Sequence, residues 1–286
     1  METVFNTAKL REIVSAWRRN GERVAFVPTM GNLHDGHISL LKKAREIADR
    51  SVVSIFVNPI QFGKGEDYEK YPSTLAADQE KLGHSGLDVL FAPNLRELYP
   101  AGIEEDTRVT VPRLSTILCG EYRPGHFPGV ATVVTKLFFS VQPDCALFGE
   151  KDLQQLMVIR RMVDDLCIPI EIIGQPIVRE ADGVAMSSRN SYLDPGERAL
   201  APVIYRTLQF AASEVAAAES DFRQIEATCL RRLRDAGLKP EYFSVRRSAE
   251  LGEAQESDRE LSILTAVWIG AARLIDNIQV TLGEGG

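Results

Sequence analysis

The sequence predicts an α/β protein in two parts: a Rossmann-like, doubly wound parallel sheet over residues 1–178, and a smaller α+β domain over 179–286. Three observations carry this expectation. Short apolar runs at 24–27, 51–57, 87–92 and 145–148 alternate with helical stretches, the order of a parallel sheet. The run S-V-V-S-I-F-V at 51–57 is apolar almost throughout, as a central strand covered on both faces requires. After about residue 180 the pattern changes to helices followed by three runs with partial alternation, the antiparallel style.

A chain of 286 residues, 44% hydrophobic and 26% charged, is long enough for two buried cores and ordinary in composition for a globular protein. A net charge of −7 provides no electrostatic footprint for a nucleic-acid partner. No apolar run is long enough to span a bilayer, so no membrane partner is expected; even 263–272 is too short. Cys119, Cys145, Cys167 and Cys229 form no C-x-x-C pair, and the N-terminus lacks a basic-then-apolar export signal. These features predict a reduced, cytoplasmic setting.

Thr7 is the expected N-cap of a first helix with Leu10, Ile13, Val14 and Trp17 on one face, ending near Asn20-Gly21. The run 24–27 feeds P-T-M-G-N-L-H-D-G-H at 28–37, after which Ile38, Leu41, Ala44, Ile47 and Ala48 recur at helical spacing. Strand, glycine loop and helix form a nucleotide-binding layout, because unpaired N–H groups and partial positive charge at a helix start attract phosphate. His34 and His37 stand three residues apart at that start, where both imidazoles can face one ligand and donate to phosphate oxygens. A metal reading is weaker: the other histidines are His84 and His126, and no cysteine lies nearby in sequence.

The strand 51–57 stops at Asn58-Pro59. The polar segment 58–72 then lies beyond a strand's carboxyl end, where open α/β sheets bind ligands, so Asn58, Gln61 and Tyr71 are substrate-binding candidates; the alternative is a solvated loop. A helix from about Ser73 to Leu82 and a strand over 87–92 follow. E-Y-R-P-G-H-F-P-G at 121–129 precedes a helix expected over 130–141, with Arg123 and His126 either adding charge to a site or serving the structure. The strand 145–148 ends at Gly149, Glu150, Lys151 and Asp152, again at a strand-to-helix junction, and Leu153, Leu156, Met157 and Val163 mark the next helix.

A β-like run over 170–178 leads into R-E-A-D-G-V-A-M-S-S-R-N-S-Y-L at 179–193, close to the expected domain boundary. Ser187, Ser188, Arg189 and Asn190 concentrate hydroxyl, guanidinium and amide groups suited to polyphosphate, and a loop at a hinge can act as a lid. Asp194-Pro195-Gly196-Glu197 reads as N-cap, first-turn proline and capping-box glutamate for a long helix through Leu200, Ile204 and Leu208. A second helix carries Phe222, Ile225, Cys229 and Leu233 and ends at Gly237; strands are expected over 242–247, 261–269 and 272–280.

The blocks P-T-M-G-N-L-H-D-G-H, V-N-P-I-Q-F-G, G-E-K-D-L-Q-Q and A-M-S-S-R-N, in this order and at these separations, closely resemble the pantothenate synthetase family over most of the first 190 residues. H-D-G-H is also similar to the H-I-G-H element of class I aminoacyl-tRNA synthetases and related nucleotidylyltransferases, and M-S-S-R to their K-M-S-K-S loop. Ala185 and Ser188 stand where that loop has lysines, and no tRNA-binding extension is apparent. Both departures fit the pantothenate synthetase pattern.

The resemblance implies an enzyme that adenylates (R)-pantoate with ATP, releasing diphosphate, and transfers the pantoyl group to β-alanine to give (R)-pantothenate and AMP. It implies that Met30, Gly31, Asn32, Leu33, His34, Asp35, Gly36 and His37 hold ATP, with His34 and His37 on the phosphates. Gly149, Glu150, Lys151 and Asp152 then bind the nucleotide, Lys151 near the α-phosphate. Val178 meets adenine through its backbone, and Met186, Ser187, Ser188 and Arg189 close over the outer phosphates. His34, His37, Lys151 and Arg189 are the implied catalytic residues. Gln61 and Gln155 fix pantoate, since amides donate and accept together. Mg²⁺ is expected with ATP, carried mainly by phosphates and water, with Asp78 as a candidate carboxylate neighbour. A homodimer is the expected assembly. Another nucleotidylyltransferase would need a further cationic pocket for its acceptor, and a nucleotide sensor without turnover would not need Lys151 or Gln61.

Overall fold

The structure is a computed structural model and describes residues 1–63, 65–72, 74–217 and 221–283. The chain divides into two compact units, one formed by residues 1–150 and 155–176, the other by 151–154 and 177–286.

The first unit opens with β1 (Glu2–Val4), α1 (Thr7–Arg19), β2 (Val24–Thr29), α2 (Asp35–Ile47) and β3 (Arg50–Ile55). It continues through α3 (Leu75–His84), β4 (Val89–Phe91), the single turns α4 (Leu95–Leu98) and α5 (Cys119–Tyr122), α6 (His126–Val141) and β5 (Cys145–Gly149). Then follow α7 (Leu153–Asp165), whose first two residues group with the second unit, and β6 (Glu171–Gln175). Among the described residues six strands form one sheet in the order β1-β4-β3-β2-β5-β6, every pair parallel. Alternate residues of the central strands serve opposite faces. Ala25, Val27, Val53, Cys145 and Leu147 pack with Leu40, Leu41 and Ala44 of α2 and Leu82 of α3. Phe26 and Phe148 point the other way and each meets Phe138 of α6 edge-on, ring centres 6.3 Å apart. Burial on both faces explains the nearly continuous apolar runs in these strands.

Several boundaries differ from the sequence expectation for local reasons. The N-cap of α1 is Asn6, whose side chain accepts the Lys9 N–H at 2.8 Å, rather than Thr7. β1 is a three-residue edge strand, too short for a periodic signal. Ser73, expected to start a helix, lies outside the described residues; α3 begins at Leu75 and runs to His84. α6 begins at His126, four residues before the expected start, because Gly125 adopts φ 86° as its N-cap and Pro128 falls in the first turn, where its missing N–H costs nothing.

The second unit contains α8 (Pro195–Leu200), α9 (Pro202–Ala217), α10 (Phe222–Asp235), β7 (Lys239–Arg247), β8 (Glu260–Ile269) and β9 (Ala272–Thr281). The three strands are antiparallel in the order β7-β8-β9. α9 and α10 bury Ile204, Leu208, Ala211, Ile225, Cys229 and Leu233 against Phe243, Val245, Leu261, Ile263, Val267 and Leu274 of the sheet. The Asp194–Glu197 capping box forms as the sequence predicts. The single helix expected after it is instead two, since α8 ends at Leu200 and α9 restarts with Pro202 as its first residue.

Candidate active site

In the first unit the strand order reverses between β2 and β5, and ligand crevices of parallel sheets open at the carboxyl ends of strands flanking such a reversal. β2 delivers residues 30–37 to that point, and β5 delivers Gly149, followed by Glu150 in a 3-10 turn. The loop turns through two left-handed residues, Gly31 at φ 83° and Asn32 at φ 51°. A Cβ on Gly31 would also crowd Ile55 Cγ2 at 3.1 Å and Asp78 Oδ2 at 3.2 Å, so conformation and space both favour glycine.

α3 holds this loop by its backbone. Asp78, 1% exposed, accepts the N–H groups of Asn32 at 2.9 Å and Leu33 at 2.8 Å and the Thr74 hydroxyl at 2.9 Å. Lys81, one turn further on, donates to the Leu33 carbonyl at 2.6 Å. His34 is itself the N-cap of α2. Its Nδ1 accepts the Gly36 N–H at 3.1 Å, and His37 Nδ1 accepts the His34 N–H at 3.3 Å, a reciprocal capping box built from imidazoles. With Nδ1 accepting, the neutral ring carries its proton on Nε2, so each histidine presents a donor from the start of a helix. The two ring centres are 4.1 Å apart.

Beside β3, the 3-10 turn Pro59–Gln61 places two buried amides. Asn58, 1% exposed, receives the Tyr99 hydroxyl on Oδ1 at 2.9 Å and donates from Nδ2 to the Gly129 carbonyl at 3.1 Å and to Gln61 Oε1 at 3.3 Å. Burial pushes the Tyr99 phenol well up, so it stays a donor at neutral pH. Gln61, 7% exposed, accepts through Oε1, which turns Nε2 towards Met30 Sδ at 3.0 Å. The Tyr71 ring packs edge-on against Phe62, centres 5.9 Å apart. Gln155 is partly buried on the first turn of α7.

In the second unit, Lys151 and Asp152 lie 3.9 Å apart, with the Lys151 side chain 18% exposed and that of Asp152 46%. The Lys151 carbonyl accepts from Asn277 Nδ2 of β9 at 3.1 Å. Val178, expected to meet adenine through its backbone, gives its carbonyl to the Met186 N–H at 3.0 Å, so the segment 178–186 doubles back on itself. Arg179 fixes that fold: it forks onto Asp276 at 2.7 and 2.9 Å, donates to the Gly183 carbonyl at 3.0 Å and covers the Tyr205 ring at 3.7 Å. Ser187 caps the 3-10 turn Ser188–Tyr192 by accepting the Arg189 N–H at 3.2 Å. Asn190 reaches back to Glu180 at 2.9 Å and the Ala185 carbonyl at 3.1 Å. Lys151, Ala185, Ser187 and Asp276 line one small cleft of this unit.

Known proteins share this sequence pattern and fold. The family model of pantoate-beta-alanine ligase matches residues 2–279. A pantothenate synthetase of Pseudomonas fluorescens (strain Pf0-1) is 55% identical over 282 residues, 99% of each chain. The chain belongs to the pantoate–β-alanine ligase family. A crystal structure of pantothenate synthetase from Thermus thermophilus superposes with a TM-score of 0.89 at 46% identity, covering 97% of this chain and 99% of that one. The pantoate–β-alanine ligase of Francisella tularensis, solved in complex with β-γ ATP and β-alanine, gives 0.82 at 35% identity, with 97% of both chains covered. The ligase family's reaction, ATP-dependent joining of pantoate to β-alanine, is accordingly the activity of this chain.

Within the ligase fold, sequence reasoning placed the histidine pair at the helix start but not its role as the cap, since caps are usually Ser, Thr, Asp or Asn. It also missed Thr74 and Lys81, at the cap and within α3, whose side chains meet the loop's backbone directly. The spacing of Asp78 and Lys81, one helical turn apart, was the available signal. Among the described residues no group of three or more His, Cys, Asp or Glu side chains could hold a metal ion, and no helix is long and apolar enough to cross a membrane.

Proposed function

We propose that this ligase works in two steps through a pantoyl adenylate. A pantoate carboxylate oxygen attacks the α-phosphorus of ATP; the new P–O bond forms as the bond to diphosphate breaks. The β-alanine amine then attacks the acyl carbon, the C–O bond to AMP breaks, the amide C–N bond forms and the amine proton is lost. A carboxylate is a poor acyl donor because oxide is a poor leaving group, and AMP replaces it. Positioning and charge stabilisation carry the rate.

The observation that carries this reading is the imidazole capping box at the strand-order reversal: His34 and His37 direct Nε2 donors from a helix start, which suits phosphate oxygens. His37 serves the α-phosphoryl group as donor. Lys151, beside Asp152, supplies positive charge near the α-phosphate, Asp152 meets a ribose or adenosine polar group, and Met186, Ser187, Ser188 and Arg189 take the outer phosphates. Gln61 and Gln155 hold pantoate. Mg²⁺ bound with ATP would neutralise phosphate charge and would be held mainly by phosphates and water, with Asp78, which also holds the 31–33 loop, as its candidate carboxylate neighbour. The Francisella tularensis complex with β-γ ATP and β-alanine supports these substrates. The enzyme acts as a cytoplasmic homodimer.

Diphosphate release from Mg-ATP and (R)-pantoate, with and without β-alanine, tests the reaction, together with diphosphate–ATP exchange in its absence. Sustained release only with β-alanine, plus pantoate-dependent exchange without it, is expected. Amide formation with no exchange under any condition would overturn the adenylate.

A further inference from the structure

Beside Gln61 lies a charged cluster of Glu66, Arg123 and His126. The Gln61 backbone carbonyl is 2.8 Å from His126 Nδ1 and 3.5 Å from Arg123 Nη2. Arg123 Nη1 lies 3.0 Å from His126 Nε2. A guanidinium has no acceptor, so Nε2 must accept; the ring proton is then on Nδ1 and is donated to the Gln61 carbonyl. Arg123 in turn forks onto Glu66, Nε to Oε1 at 2.7 Å and Nη2 to Oε2 at 2.5 Å, with side chains only 12% and 21% exposed. Burial opposes ionisation of Glu66, but the Arg123 fork outweighs it and holds the carboxyl below its usual range.

Gly129, one turn further along α6, pins the same turn again. A Cβ on Gly129 would come within 2.8 Å of Gln61 Cα and N, and the Gly129 carbonyl accepts from Asn58, whose amide also orients Gln61 Oε1. Backbone and side chain of Gln61 are thus fixed by separate contacts.

We propose that His126, held in one tautomer by the Arg123–Glu66 fork, is a positioning residue that sets Gln61 for pantoate. This rests on the reading that Gln61 binds pantoate. His126 itself touches no substrate; it acts on the Gln61 carbonyl, and its loss lets the turn drift without emptying the ATP site.

Steady-state kinetics of the full-length enzyme test this. His126→Ala is expected to raise the pantoate KM about tenfold while kcat and the ATP KM change less than about threefold, the split expected of lost ground-state positioning. His126→Asn, which keeps a side-chain N–H at the Nδ1 position, should restore most of the pantoate KM. A purely structural role would move all three constants and melting temperature together and would show no such rescue. Should His126→Ala fail to fold, Glu66→Gln, which weakens the fork while keeping its shape, should show the same split at about threefold. Gln61→Ala separates the two levels. If it raises the pantoate KM while His126→Ala and Glu66→Gln do not, the positioning inference is overturned and the Gln61 assignment stands. An unchanged pantoate KM in Gln61→Ala overturns both.

Discussion

In the first unit, the glycine loop is fixed through its backbone: Asp78 takes two loop N–H groups, Lys81 takes a loop carbonyl, and the two histidines cap the helix that follows. In the second unit, the 179–190 segment is fixed through ionised side chains, Arg179 on Asp276 and Arg198 on Glu180 and Asp182 at 2.7 Å each. Backbone anchoring keeps the loop's imidazoles at the positive end of a helix. In the other segment two guanidinium groups are spent on carboxylates.

The hardest way to break this contrast is Arg179→Ala. It takes the guanidinium fork from Asp276, 5% exposed, leaving the buried carboxylate only the Asn277 N–H at 2.7 Å and the Lys151 charge, which costs about 3–5 kcal/mol at neutral pH by denaturant unfolding. The pH dependence has a definite sign. Burial already pushes the Asp276 carboxyl up and Arg179 pulls it back; without the arginine its folded-state pKa rises further. A raised folded pKa means that the penalty is absent below the unfolded value, about 3.9, and grows as pH rises towards the folded one. The gap between variant and parent should therefore narrow as pH falls from 7 to 5, and a gap that widened would place the loss elsewhere than at Asp276.

Next in size are the groups assigned to phosphate. His37→Ala and Lys151→Ala should each lower kcat about 10²-fold with unchanged circular dichroism, by analogy with removal of one transition-state donor. A defect confined to one of the two would sharpen the contrast by showing which anchoring mode presents the essential charge. Near-normal turnover in either variant would remove that residue from the chemistry.

How far the sequence reveals these two regions follows the same division. β2, β3 and β5, the glycine loop and the paired histidines lie within one continuous stretch or repeat a strand-to-helix pattern, so local periodicity exposes them. The capping box at Asp194 is legible because both partners lie three residues apart. Arg179 and Asp276 are 97 residues apart, and nothing in either local window announces the other. His126 shows the intermediate case: its short H-F-P-G context reads as a loop, yet it is the first residue of α6, and the Gln61 carbonyl it meets is 65 residues away. Lys81 and Thr74 belong to a helix whose amphipathic pattern is weak, and their targets are backbone atoms, which carry no sequence signature.

Asp78→Ala probes the backbone mode. Leaving the buried Leu33 N–H without its acceptor, and the Asn32 N–H with Thr74 Oγ1 alone, costs about 2 kcal/mol of stability and should raise the ATP KM, because Gly31 and Asn32 are left-handed and relax once released. Asp78→Asn keeps one acceptor and should lie between parent and alanine variant; equality with alanine would mean that the carboxylate's charge, rather than its geometry, holds the loop.

Arg198→Ala tests the weak end of the ionic mode. Arg198 is 28% exposed and its partners Glu180 and Asp182 are 34% and 42% exposed, so solvent screens both contacts. The expected loss is under about 1 kcal/mol and should shrink further between 0.1 and 1 M salt, where the screening length falls from roughly 10 to 3 Å. Arg198 holds the Asp182 carboxyl below its usual range. That contribution is present at neutral pH and is lost as pH falls through the depressed value, so this gap also narrows on acidification, but at lower pH than the Asp276 one. A double variant with Arg179→Ala then separates the two. If the segment is held chiefly by the buried pair, Arg198→Ala adds its small, salt-sensitive increment and nothing more; a loss well above the sum would show that both pairs hold one cooperative turn.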